Sequence, residues 1–155
     1  MPFNSQDRII ILVADDDEED QDLIKKAIKE NNKKRIDIIF VNNGEELLDY
    51  LFSRGIYKNS PRPHIILLDL KMPKKGGIET LQEIKREENF KNIPIIALSS
   101  SSSEKDINRS YKHGANSYIV KPNHFSEMVK AMDDLDNFWF ETAELPVVTF
   151  DGENK

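Results

Sequence analysis

The sequence predicts an α/β domain, a doubly wound parallel sheet of five strands with helices on both faces. Three observations carry this. Short branched-apolar runs alternate with amphipathic segments along the chain, the order that builds a parallel sheet through right-handed crossovers. Runs such as Ile9-Ile10-Ile11-Leu12-Val13-Ala14 and Ile65-Ile66-Leu67-Leu68 are continuous rather than alternating, as strands buried on both faces are. Three runs end in charge, at Asp15-Asp16, Asp69 and Lys121-Pro122. In open parallel sheets, ligand sites lie outside the carboxyl ends of the strands.

The elements follow in order. A strand over 8–14 precedes a helix over 18–31, where Leu23, Ala27 and Ile28 share a face. A strand over 36–41 leads to a helix over 44–53 with Leu47, Leu48 and Leu51. The segment 52–64 holds Arg54, Gly55, Asn59-Ser60 and two prolines, and reads as a surface excursion. A strand over 64–69 is followed by a helix over 77–88, with Ile78, Leu81 and Ile84 on one face. A strand over 94–98 and a helix over 104–113 come next, the helix carrying Ile107 and Tyr111. The last strand covers 117–120. The last helix covers 126–141, with Met128, Val129, Met132, Leu135 and Phe138. The expected organisation is a tail (1–7), one domain (8–141) and an extension (142–155), with the acidic end 151–155 read as disordered.

The chain has 155 residues, a net charge of −6 and no cysteine. It is long enough for one domain with a real core. The charge disfavours nucleic-acid binding, which needs a basic face. Lys25, Lys26, Lys29, Lys33, Lys34 and Arg35 are interspersed with acids or fall in a turn, and read as a solvated helix end. No apolar run approaches the roughly 20 residues of a membrane span. The first eight residues lack the order of a signal peptide. A cytoplasmic protein with no membrane partner is expected.

Asp15, Asp16 and Asp69, brought to neighbouring strand ends, would repel one another without a counter-ion. A hard divalent cation resolves this, and two carboxylates with a carbonyl and waters suit Mg²⁺. The competing assignments are helix capping for Asp16 or Asp17 and a turn for Asp69; capping accounts for one acid, not a cluster. Lys121 could be a solvated lysine, but its place between an apolar run and Pro122 favours the pocket.

The ordered set Asp15-Asp16, Asp69-Leu70-Lys71-Met72-Pro73, Gly76-Gly77, Ser99 and Tyr118-Ile119-Val120-Lys121-Pro122 resembles the receiver domain of two-component response regulators over about residues 9–140. The resemblance implies a flavodoxin-like (β/α)5 fold with strand order 2-1-3-4-5. It implies Asp69 as phosphoacceptor, taking a phosphoryl group from a sensor histidine kinase or phosphotransfer protein. Mg²⁺ would be held by Asp15, Asp16, Asp69 and the Lys71 backbone carbonyl, with Asp15 acting mainly through a metal-bound water. Lys121 and Ser99 would contact the phosphoryl group, and Ser99 and Tyr118 would form the switch pair. A cis Lys121-Pro122 bond is also implied. Lys71 and Ser101 flank the site and should tune water access to the acyl phosphate. The long loop before the third strand, Asn137-Phe138-Trp139-Phe140 and Leu145-Pro146 resemble the small stand-alone regulators partnered with phytochrome-type kinases. Phe138, Trp139 and Phe140 cannot all face inward on a helix, so at least one should be exposed. An interface, including a homodimer through the fourth and fifth helices, is expected there.

Rival readings are weaker. The serine run 99–103 could cradle a phosphate as in flavodoxins, but that loop follows the first strand there, and here the first strand ends in acids. An aspartyl-phosphate phosphatase needs a second acid two residues after the nucleophile, where this chain has Lys71. The alternative within the fold is a pseudo-receiver that binds partners without phosphotransfer, which the intact acid, serine and lysine set opposes.

Overall fold

Each apolar run forms a strand: β1 (Arg8–Ala14), β2 (Arg35–Val41), β3 (Ile65–Leu68), β4 (Ile95–Ser99) and β5 (Ser117–Val120). Helices α1 (Glu18–Asn31), α2 (Gly44–Leu51), α3 (Gly77–Arg86), α4 (Glu104–Lys112) and α5 (Phe125–Asn137) alternate with them. The computed structural model describes residues 8–31 and 35–146. The expected N-terminal tail, Lys33-Lys34, Val147-Val148 and the acidic end 151–155 lie outside the described residues. All strand pairs are parallel and the order is β2-β1-β3-β4-β5, as the resemblance implied.

The strand period of two splits β1 between two cores. Ile9, Ile11 and Val13 pack with Ile24, Ala27 and Ile28 of α1 and with Met128, Met132 and Leu135 of α5. Leu12 and Ala14 face the other way, onto Leu47, Leu48 and Leu51 of α2 and Leu81 and Ile84 of α3. Each buried Leu or Ile contributes about 1.5–3 kcal/mol. Helices this short are marginal alone, so these two layers hold them. Helix α4 is the exception: among its residues only Ser110 is buried.

Helix ends differ from expectation by a few residues. Helix α2 stops at Leu51, and a tight turn over Gly55–Tyr57 occupies the expected surface excursion. Helix α5 was expected to run to residue 141, but ends at Asn137 and continues as one wider turn over Phe138–Thr142. There the Ala143 amide donates to the Phe138 carbonyl, five residues back, at 2.7 Å. The buried positions of α5 are 128, 132, 135 and 136, and at the α-helical period residues 139 and 140 come inward next. Phe140 is fully buried, Trp139 packs partly against the core, and Phe138 is 52% exposed. Leu145 packs on the same core. The Lys121-Pro122 bond is trans, since no cis bond occurs among the described residues. This corrects the implied cis bond. Trans is the favoured form of a prolyl bond by roughly 0.5–1 kcal/mol, and in this geometry the Lys121 amide still meets the Ser99 carbonyl at 2.8 Å.

Candidate functional site

The sheet's hydrogen-bond ladder runs one residue past each strand end and fixes the site from the backbone up. The Asp15 amide donates to the Val41 carbonyl (3.0 Å), Asp69 to Ala14 (2.9 Å) and Lys121 to Ser99 (2.8 Å). Three residues far apart in sequence are thereby held in register at one end of the sheet. Helix α3 closes in from behind. A Cβ on Gly77 would lie 2.5 Å from the Asp69 carbonyl oxygen, so that approach requires glycine.

Asp15, Asp16 and Asp69 offer carboxylate oxygens that all lie within 4.8 Å of one another. The capping role falls to Asp17, whose Oδ1 accepts the amides of Glu19 (2.8 Å) and Asp20 (3.3 Å) at the start of α1. That leaves Asp16 exposed and outside the cap. Asp15 is buried, and its Oδ1 accepts the Asp17 amide at 2.9 Å. Lys121 is the local cation. Its Nζ lies 2.7 Å from Asp20 Oδ2, 2.8 Å from Asp15 Oδ2 and 3.0 Å from Asp69 Oδ2. Lys121 donates to Asp20 and Asp69, while buried Asp15 Oδ2 meets the ammonium as an ion pair whose angle falls short of a regular hydrogen bond.

Burial raises the Asp15 carboxyl above its ordinary value, against the pull of Lys121 and the Asp17 amide, and the Asp69 charge adds to the rise. Burial alone would lower the Lys121 ammonium, but Asp15, Asp20 and Asp69 outweigh it and hold that group well above its ordinary value. A donor set of three carboxylates with one buried oxygen lacking a hydrogen bond fits a hard divalent cation.

Asp69 is held at both oxygens. The Lys71 amide donates to Oδ1 at 3.1 Å and Lys121 to Oδ2 at 3.0 Å. Ser99 is fully buried at the end of the neighbouring strand, and its Oγ accepts the Ser101 amide at 3.2 Å. The Tyr118 hydroxyl donates to the Ser101 carbonyl at 2.7 Å. Phe138, Trp139 and Phe140, by contrast, follow α5 and are not part of this cluster.

The model of the response regulator receiver domain matches residues 11–133. The chain belongs to the response regulator receiver family. It is similar to response regulator Rcp1 of Synechocystis, with 36% identity over 146 residues that cover 94% of this chain and 99% of Rcp1. The phosphorylated cyanobacterial phytochrome response regulator RcpA has the same fold, with a TM-score of 0.85, 37% identity and coverage of 91% of this chain and 100% of RcpA. The Mn²⁺-bound form of Rcp1 matches with a TM-score of 0.82 and 35% identity, over 90% of this chain and 99% of Rcp1. The subgroup expected from the sequence is thus the one the comparisons return.

Sequence reasoning missed Asp20 as a partner of Lys121. A signal was present: Asp20 stands in the acidic first turn of α1, directly after the strand end that carries Asp15 and Asp16.

Proposed function

We propose that this receiver takes a phosphoryl group onto Asp69 from a phosphohistidine of a sensor histidine kinase or phosphotransfer protein, and signals by changed partner binding. One observation carries the reading: Asp69 sits between Lys121 and the acids Asp15 and Asp16, each presented by a different strand end. The Lys71 amide orients the carboxylate for attack on phosphorus. The O–P bond forms as the P–N bond to the donor imidazole breaks. Lys121, bound to Asp69 Oδ2 beforehand, transfers its hydrogen bond to a phosphoryl oxygen, and Ser99 donates to another. Asp15, Asp16, Asp69 and the Lys71 carbonyl are the residues to hold Mg²⁺. Bound there, the ion would supply positive charge to the transferring oxygens, which a dissociative phosphoryl transfer requires. The protein catalyses its own phosphorylation and dephosphorylation and turns over no external substrate.

The receiver unit spans 8–141 with flanking segments, and acts in the cytoplasm without nucleic acid or membrane; no described helix is long and apolar enough to cross one. The kinship with Rcp1 and RcpA supports a phytochrome-type kinase as donor. Exposed Tyr111, Val120, Phe125 and Phe138 on α4, β5 and the ends of α5 support a homodimer through that face.

Intact-mass spectrometry after acetyl phosphate treatment tests the assignment. The protein should gain one phosphoryl group only with Mg²⁺, and Asp69→Asn should gain none. Undiminished labelling of the variant overturns Asp69 as acceptor. Absent labelling and no response to beryllofluoride in the wild type would make the chain a pseudo-receiver.

A further inference from the structure

The serine-rich segment after β4 is unused by the phosphoacceptor chemistry, apart from Ser99, and Ser101 is its hub. The Ser101 amide donates to Ser99 Oγ at 3.2 Å and its carbonyl accepts the Tyr118 hydroxyl at 2.7 Å. Its own hydroxyl donates to Asp106 Oδ2 at 2.5 Å. Ser103 Oγ is a second possible acceptor at 3.3 Å. One hydroxyl hydrogen serves one acceptor at a time, and the short bond to a carboxylate is the stronger. Asp106 is itself anchored, since its amide donates to Ser103 Oγ at 3.2 Å, the cap of α4. An acid at the third position of a helix can return to the amide of the capping residue. Here it reaches two residues further back, to Ser101.

The consequence falls on both partners of Ser101. With the Ser101 amide filling an acceptor lone pair of Ser99 Oγ, the Ser99 hydrogen is left to donate. With the Ser101 carbonyl in place, the Tyr118 ring is docked. The Ser101 hydroxyl, foremost, holds the Asp106 carboxyl below its ordinary value, helped by Ser103 and the nearby Lys71 and Lys105 charges. At neutral pH it is therefore an ionised acceptor.

We propose that Asp106 is a positioning residue for phosphoryl transfer: through Ser101 it sets the Ser99 hydroxyl and the docked Tyr118 ring. This rests on the reading of Asp69 as phosphoacceptor. An ordinary capping role would affect only the stability of α4, and the two differ in what they move.

Ring-labelled tyrosine NMR separates them, because the chain has four tyrosines and Tyr118→Phe identifies the relevant signal. In unphosphorylated Asp106→Ala and Ser101→Ala, the Tyr118 signal should move toward that of an exposed tyrosine. Labelling of Asp69 by acetyl phosphate should slow, by up to about 100-fold, the scale of an ångström-sized misplacement near a reacting group. The double variant should be no worse than either single one. Asp106→Asn keeps an acceptor oxygen and should restore both readouts. Asn108→Gly, which weakens α4 at an exposed position outside this hydrogen-bond set, should lower the thermal midpoint without moving Tyr118. An unmoved Tyr118 signal with wild-type labelling in Asp106→Ala overturns the inference, as does additivity in the double variant or failure of Asp106→Asn to rescue. Failure of the phosphoacceptor reading shows differently, as absent labelling in the wild type.

Discussion

Lys121 faces more negative charge than it can neutralise. Its ammonium lies within 3.0 Å of three carboxylates, and Asp16 adds a fourth to the pocket. Removing it leaves buried acids unpaired, which costs about 3–5 kcal/mol for a buried pair. Lys121→Ala should therefore be destabilised by that order in chelator. It should still gain stability from Mg²⁺, because it removes no ligand, yet beryllofluoride should leave its Tyr118 signal unchanged. Loss of the Mg²⁺ response would contradict the assigned role. Asp15 gives a pH test. Its folded-state pKa is raised from the ordinary 3.8, so between that value and the raised one the folded protein binds more protons than the unfolded chain. Stability then falls as pH rises through the window. Without metal, Asp15→Asn should gain thermal midpoint relative to wild type as pH climbs from 3.8, and Mg²⁺ should erase the gain. A constant difference across that range would show that Asp15 is not destabilised by ionisation.

At the scale of elements, burial decided what local pattern could not. The wide turn after α5 holds Phe140 fully buried and leaves Phe138 half exposed. Phe140→Ala should cost about 3–5 kcal/mol in urea unfolding. Phe138→Ala should fall within roughly 0.5 kcal/mol of wild type, as exposed sites do. Equal losses at the two positions would contradict this division between a core ring and a surface ring. The strands were legible because β1, β3 and β4 are short, branched-apolar runs that alternate with amphipathic segments; β2, interrupted by Asp37, follows the same alternation. The wide turn was not, since no run or period in the sequence marks the change to a bond five residues back. Among the acids, Asp15, Asp16 and Asp69 were legible from strand ends. Assigning the cap to Asp17 rather than Asp16 took amide positions, and pairing Asp20 with Lys121 took the reach of a side chain from a distant strand. Similarly, Ser101 was read only as a neighbour of the site. That its carbonyl holds Tyr118 and its hydroxyl holds Asp106 depends on the path of the loop.

For the whole molecule, topology and assembly stand in contrast. The alternation of apolar and amphipathic segments restricts a chain of this length to few sheet orders, and the observed one is the order that the receiver resemblance implied. Which surface meets a partner is not restricted in that way, because apolar residues scattered on a surface are common. The structure narrows the choice. Strand β5 is a sheet edge, Val120 at its end is 43% exposed, and Phe125 and Phe138 bracket α5 with exposed rings. Trp139 lines a cleft of about 300 Å³ beside Ile119 and Leu135. Tyr118 lies two residues before Val120 on the same strand, so the proposed switch residue and this face share β5. Two copies joined here would bury an aromatic cluster at their centre, where a few side chains dominate affinity. Multi-angle light scattering across a dilution series should show a dimer that Phe138→Ala or Val120→Glu weakens by on the order of tenfold or more in Kd, the effect of a residue worth above about 1 kcal/mol. Beryllofluoride should shift the wild-type equilibrium but not that of Tyr118→Ala, the outcome that the proposed switch role of that ring requires. A wild type that stays monomeric throughout, or variants that dimerise unchanged, would place the output surface elsewhere on the receiver.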